Sequence, residues 1–176
     1  MGVEPAGVVR VWKGGFSSVG AMALDRQSMK ELFYLLLFLA AVGGLWIRFA
    51  PHDTDRWHVD PAEVAEPAGN GYRIIGDKAP RFPGDVETVL QELTNVALAE
   101  PRVRVLDGGA DEGLITFVAR TKWVGFPDYA TFKAVQEGGQ TKLAAVSRAR
   151  YGGSDWGVNR ERLDRWFAEL ERRLRP

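Results

Sequence analysis

Seventeen residues near the C-terminus, SRARYGGSDWGVNRERL from Ser147 to Leu163, gather the side-chain types that hold anions. Arg148 and Arg150 stand two apart, so an extended chain presents both on one face. Arg120 and Lys122 repeat that spacing in ARTKWVGFPDYATF. Guanidinium forks match carboxylate and phosphate geometry, and two such strands brought near one another would make an anion patch. The same four cations could equally decorate the solvent side of a half-covered sheet; strand order decides between these. Ser154, Asp155, Asn159 and Arg160 follow among Gly152, Gly153 and Gly157. A glycine turn entering a helix can cradle an anion on backbone N–H groups. A structural account competes with it: Asp155 bonds turn amides or pairs with Arg150, while Asn159 caps the helix. With Asp128, the candidate ligand-binding set is Arg120, Lys122, Asp128, Arg148, Arg150, Ser154, Asp155, Asn159 and Arg160.

Several chemistries are poorly supplied. The chain of 176 residues has no cysteine, which removes disulfides, thiolate metal sites and thiol nucleophiles. Its two histidines, His52 and His58, fall in HDTDRWH with Asp53 and Asp55, in a spacing that matches no metal site, and that stretch is expected to be flexible. No metal and no cofactor are expected. A serine hydrolase needs a histidine beside its nucleophile, and GGSDWG is no nucleophile elbow. No phosphate-binding glycine loop is present. Hydrolysis by Asp128 or Asp155 stays open as the alternative to a binding role. Lys+Arg and Asp+Glu both number 23, so no net field draws in nucleic acid. Trp123, Phe126, Tyr151 and Trp156 could line a groove or pack at a sheet edge.

The elements that must position these residues follow from hydropathy. Leu32 to Ile47, LFYLLLFLAAVGGLWI, carries no charge. With Arg48, Phe49 and Ala50 it reaches the roughly 17–25 residues that span a bilayer, and Trp46 stands where an interfacial aromatic belongs. A buried soluble helix fits less well, because the run is apolar on every face. A cleaved signal peptide fits less well too, because AAVGG continues into Leu45, Trp46 and Ile47. Arg10, Lys13, Arg26 and Lys30 before the run outweigh Arg48 and Arg56 after it, which puts the N-terminus in the cytoplasm and the C-terminal part outside it. Residues 1–28 read as a poorly structured extension, with Met22 and Met29 as later starts; 29–50 as the anchor; 51–82 as a Pro-rich, mostly irregular connector in which YRIIG, Tyr72 to Gly76, could form a short extended piece that pairs with another segment; 83–176 as the folded domain.

Within that domain Asp85 is placed to cap a helix with apolar residues Val86, Val89, Leu90, Leu93, Val96 and Ala97, ending before Pro101. Four extended segments follow, at 102–108, 114–124, 129–136 and 141–150, joined by turn-type sequences. Leu163, Trp166, Phe167, Leu170 and Leu174 mark a second amphipathic helix. The order predicts an α+β fold: a single transmembrane helix, then a four-stranded antiparallel sheet with two amphipathic helices packed on one face.

The strings ARTKWVGFPDYATF and SRARYGGSDWGVNRERL resemble the domain of unknown function 1499 family, over roughly Phe82 to Leu170. Arg150, Gly152, Ser154, Asp155, Gly157, Asn159 and Arg160 match its R-x-G-x-S-D-x-G-x-N-R string; Arg120, Gly125, Phe126 and Asp128 match its earlier segment. Asp128 is followed by Tyr129 where the family commonly has a second acid, and Lys122 stands where arginine is usual; both departures argue against acid–base work. The resemblance implies an anchored bacterial domain at the inner membrane, facing the periplasm, with no assigned activity. The expected partners are the membrane, an anionic small molecule or lipid headgroup, and a membrane protein, with the domain acting as a binding module or as a subunit of a membrane complex.

Overall fold

A computed structural model describes residues 25–175. The expected extension therefore lies outside the described residues as far as residue 24. Helix α1, Arg26–Phe49, carries the apolar run and buries none of its side chains. It is long and apolar enough to cross a membrane. The chain divides into two units within this helix, between Leu39 and Ala40. Of the first unit, the described part from Arg26 is α-helix.

The second unit, from Ala40 onward, is α+β. After the last turns of α1 come the short helix α2 (Thr54–Trp57), strands β1 (Gly71–Ile74) and β2 (Arg81–Pro83), and helix α3 (Val86–Ala99). Strands β3 (Val103–Gly109), β4 (Leu114–Arg120), β5 (Pro127–Glu137) and β6 (Gln140–Ala149), then helix α4 (Val158–Leu174), complete it. The sheet is antiparallel, ordered β1-β6-β5-β4-β3, with β2 also on β6. It has six strands rather than the expected four. The two additions are short connector segments that pair end to end along β6: β1 overlaps the extended piece expected at 72–76, while the three residues of β2 are too few to show a period of their own.

Asp85 caps α3 as its position predicts, accepting from the Thr88 amide at 2.7 Å. The main core joins Leu90, Leu93 and Val96 of α3 to Ile115, Phe117, Phe132, Leu143 and Ala145 of the sheet and Leu163, Trp166 and Leu170 of α4. The Trp166 ring meets Phe117 edge-on at 5.6 Å and Phe132 at 5.9 Å. Contacts of this kind contribute about 0.5–1.5 kcal/mol each beyond burial.

Two expectations of local structure are corrected. β4 ends at Arg120, not Val124. The Thr121 hydroxyl accepts the amides of Gly125 and Phe126, and the Thr121 amide donates to the Phe126 carbonyl, so 121–126 closes as a loop. Trp123 is thereby left 86 % exposed. Nor does Asn159 cap α4. Gly157 holds that place at φ 87°, which a side chain would strain, and Asn159 sits buried in the first turn.

Candidate functional site

The sheet separates the candidate residues by parity. Successive side chains alternate between faces, so Asp128 and Ser147 turn toward α4 while Tyr129 and Arg148 turn away. Cross-strand register fixes the groups: Tyr129 lies opposite Val118 on β4 and Arg148 on β6.

On the α4 side a closed polar network forms. Arg162 of α4 reaches Asp128 at 3.0 Å and donates to the Asn159 side-chain carbonyl at 2.9 Å. Ser147 donates to the same oxygen at 2.5 Å. Asn159 donates its side-chain N–H to Asp155 at 2.7 Å and its amide at 3.0 Å, and Gly157 adds its own amide at 3.1 Å. Burial raises the Asp128 carboxyl above its ordinary value, while the Arg162 guanidinium pulls it back down. Asp155 resists burial through the Asn159 and Gly157 bonds and ends below its ordinary value. Both carboxylates line a hollow of about 380 Å³ with Phe126, Tyr151, Trp156 and Val158. Their oxygens are committed to fold-holding bonds, and Arg120, Arg148 and Arg150 do not line that hollow.

The opposite side carries the cations, and the connector packs across it. Trp57 of α2 stacks on Tyr129 with ring centroids 4.0 Å apart, and both are buried. The stretch expected to be flexible is therefore pinned to the sheet. Thr131 donates to the Trp57 carbonyl at 2.9 Å. Its single proton is thus spent, so it accepts from Thr116, which in turn accepts from His58 Nδ1 at 2.9 Å. His58 is a latch for the connector.

His52 occupies the centre. Arg120 Nη2 approaches its Nε2 at 3.0 Å. A guanidinium only donates, so Nε2 is bare and Nδ1 carries the proton that goes to Tyr129 Oη at 2.6 Å. Burial, then the charges of Arg104, Arg120 and Arg150, push His52 down from the usual 6.5 to about 4. Arg150 donates to the Pro51 carbonyl at 2.8 Å and points at Tyr129 Oη from 3.4 Å. Burial holds the Tyr129 phenol above its ordinary value, so it stays protonated. With two donors already aimed at its oxygen, that proton has no acceptor among the described residues. Burial and then Arg104, with Arg48 and Arg150 adding to it, lower the Arg120 guanidinium. Arg148 lies over the Trp57 ring at 4.9 Å, with Nε and Nη2 buried and unbonded.

The structure thus brings Arg120, Arg148 and Arg150 to one face and leaves Asp128, Asp155 and Asn159 on the other. Arg150 does not pair with Asp155. Lys122 sits in the loop over Trp123 at 5.1 Å, Ser154 accepts the Trp156 amide at 3.3 Å, and Arg160 stays exposed beside Asp164 at 3.7 Å. Tyr129, Trp57 and Arg104 were missed, while His52 was weighed only as a metal ligand and Arg48 only as a flank of the apolar run. Arg104 alone had a signal, because it continues the alternation of its strand. Among the described residues no three His, Asp or Glu side chains converge as metal ligands.

A family model described as "Protein of unknown function (DUF1499)" matches residues 58–170. No curated protein and no solved structure matches the chain.

Proposed function

The chain belongs to the DUF1499 family, whose description carries no activity, and from the geometry we propose a membrane-anchored binding module. Its ligand is a phosphate-type oxyanion, taken on the connector side of the sheet by Arg120, Arg148 and Arg150 with the Tyr129 hydroxyl. One observation carries this reading. The described ion pairs draw on Arg73, Arg81, Arg160, Arg162, Arg165, Arg172, Arg173 and Arg175. Arg26, Arg48, Arg56, Arg102, Arg104, Arg120, Arg148 and Arg150 have no carboxylate partner in these pairs among the described residues, and of these Arg104, Arg120 and Arg150 bear together on His52, with Arg48 acting on Arg120. Cations held together without counter-charge repel one another, and a bound anion relieves that cost.

In this reading α1 spans the bacterial inner membrane with the C-terminal domain outside the cytoplasm. The cations beyond the helix do not oppose that orientation, because large domains translocate largely regardless of charge. Hydrolysis by Asp128 or Asp155 is less well supported, since each carboxylate is engaged in the α4 network.

The test uses the full chain purified from membranes. Native mass spectrometry should show anionic phospholipid retained by the wild type and lost from the Arg120→Gln/Arg150→Gln variant. Inorganic phosphate, titrated against the delipidated chain, should raise its thermal midpoint in the wild type only. Phosphate stabilisation without retained lipid points to a soluble phosphate ligand. Neither lipid nor stabilisation overturns the reading.

A further inference from the structure

Two loops at one end of the sheet present aromatic side chains that the fold does not use. The 121–126 loop exposes Trp123 by 86 % and Val124 by 42 %. The segment between β6 and α4 exposes Trp156 by 93 %, and Tyr151 and, at the start of α4, Val158 are partly exposed. The loops are neighbours: Phe126 and Tyr151 have ring centroids 6.0 Å apart. Trp156 also sits at φ 51°, a conformation that disfavours bulky residues. Neither packing nor turn geometry calls for tryptophan there, so its identity points to something outside the described fold.

The same end receives the chain from α1. A Cβ placed on Gly125 would lie 3.0 Å from Arg48 Nη1. Arg150 is bonded to the carbonyl of Pro51. Arg48 is the first charge after the apolar run Leu32–Ile47, so on the anchored reading the bilayer's polar boundary falls at the level of this loop. Cations stand among the aromatics: Lys122 over Trp123 and Arg150 over Tyr151, at 5.1 and 5.4 Å. The other end of the sheet is different in kind. Its turns carry Asp111 and Glu112, and Glu137 there is paired with Arg81 and Lys142 at 2.7 and 3.3 Å. Residues 128 and 135 of β5 are roughly 23 Å apart along the strand.

We infer that the 121–126 loop and the 150–158 segment form a membrane-interface surface, with Trp123 and Trp156 seated at headgroup depth in the leaflet that α1 leaves. Tryptophan is enriched at that depth, where its ring is apolar and its N–H is wet. Arg48, Lys122 and Arg150 complement anionic headgroups there. Seated in this way, the domain holds its cationic face beside the lipid phosphates. This rests on the anchored reading of α1, and the test separates the two.

The absence of cysteine allows single labels without a background. Spin labels at Val124→Cys and Gly153→Cys leave both tryptophans in place; Val135→Cys reports the far end and Leu36→Cys the helix. The full chain is placed in nanodiscs of phosphatidylcholine and phosphatidylglycerol. The loop labels should be shielded from an aqueous nickel chelate and relaxed by lipid-dissolved oxygen, with the Val135 label showing the reverse. Adding Trp123→Ser and Trp156→Ser should move the loop labels toward the aqueous pattern. Loop labels that match the Val135 label while the Leu36 label lies in lipid overturn the interface surface and leave the anchor standing. A Leu36 label in water overturns both.

Discussion

The two faces of the sheet solve the placement of arginine in opposite ways. Toward α4, Arg162 is buried but fully answered, by Asp128 and by Asn159. Toward the connector, Arg120 and Arg150 are answered only by carbonyls, an imidazole and a phenol, and Arg148 by an aromatic ring. The first arrangement neutralises charge inside the fold and leaves little for a ligand. The second bonds Arg120 and Arg150 to neutral groups, leaves two Arg148 nitrogens without partners and leaves the charge standing, which is the condition an anion-binding site needs. The string most specific in sequence, R-x-G-x-S-D-x-G-x-N-R, thus contributes mainly to the first, and only its leading Arg150 to the second.

That contrast can be broken by mutation. Arg162→Ala should be the most damaging change, since it strands Asp128 in the interior; breaking a buried pair costs about 3–5 kcal/mol, read as a lower urea midpoint of the full chain in detergent. Asp155→Ala should cost about 1–3 kcal/mol by the same measure, because it leaves the Asn159 and Gly157 donors without their acceptor.

On the connector side, stability should depend on pH through His52. In the unfolded chain His52 titrates near its usual 6.5, and in the folded chain near 4. Protons therefore favour the unfolded chain between those values. Stability present above pH 6.5 should fall as pH drops toward 4, and His52→Gln should flatten the profile over that window. An unchanged slope in the variant would place the titration elsewhere.

Arg148→Met should sharpen the comparison most. It keeps an apolar stem over Trp57 and removes two buried nitrogens that lack partners, so stability should hold or rise while phosphate binding falls. A loss as large as that of Arg162→Ala would mean the two faces do not differ. Lys122→Ala, on an exposed loop residue, should stay within about 0.5 kcal/mol.

Legibility followed the range of the interactions. Helices α3 and α4 and strands β3 to β6 were readable because their apolar periods are local, and Asp85 because capping acts within one turn. The Thr121 loop was not, since alternating apolar residues continue through Trp123 and only the hydroxyl bonds end the strand. Of the candidate set, the arginines were recognised by type and spacing. Their partition from Asp128 depends on the register of β5 against β4 and β6, and that from Asp155 on the docking of α4; no local pattern reports either.

The sequence by itself determined the apolar helix, the α+β order, the family and the residue types available for anion chemistry. Each follows from composition, short-range periodicity or a contiguous string. Tertiary structure alone decided which cations meet. Placing β5 between β4 and β6 brings Arg120 and Arg150 to Tyr129. Docking the connector brings His52 to residues 68 and 77 positions away. Contacts at such separations are fixed by packing the whole sheet at once, because the stacking of Trp57 on Tyr129, the pairing of β1 and β2 with β6 and the hydrogen bonds of Pro51, His52 and His58 together offset the entropy of ordering the connector.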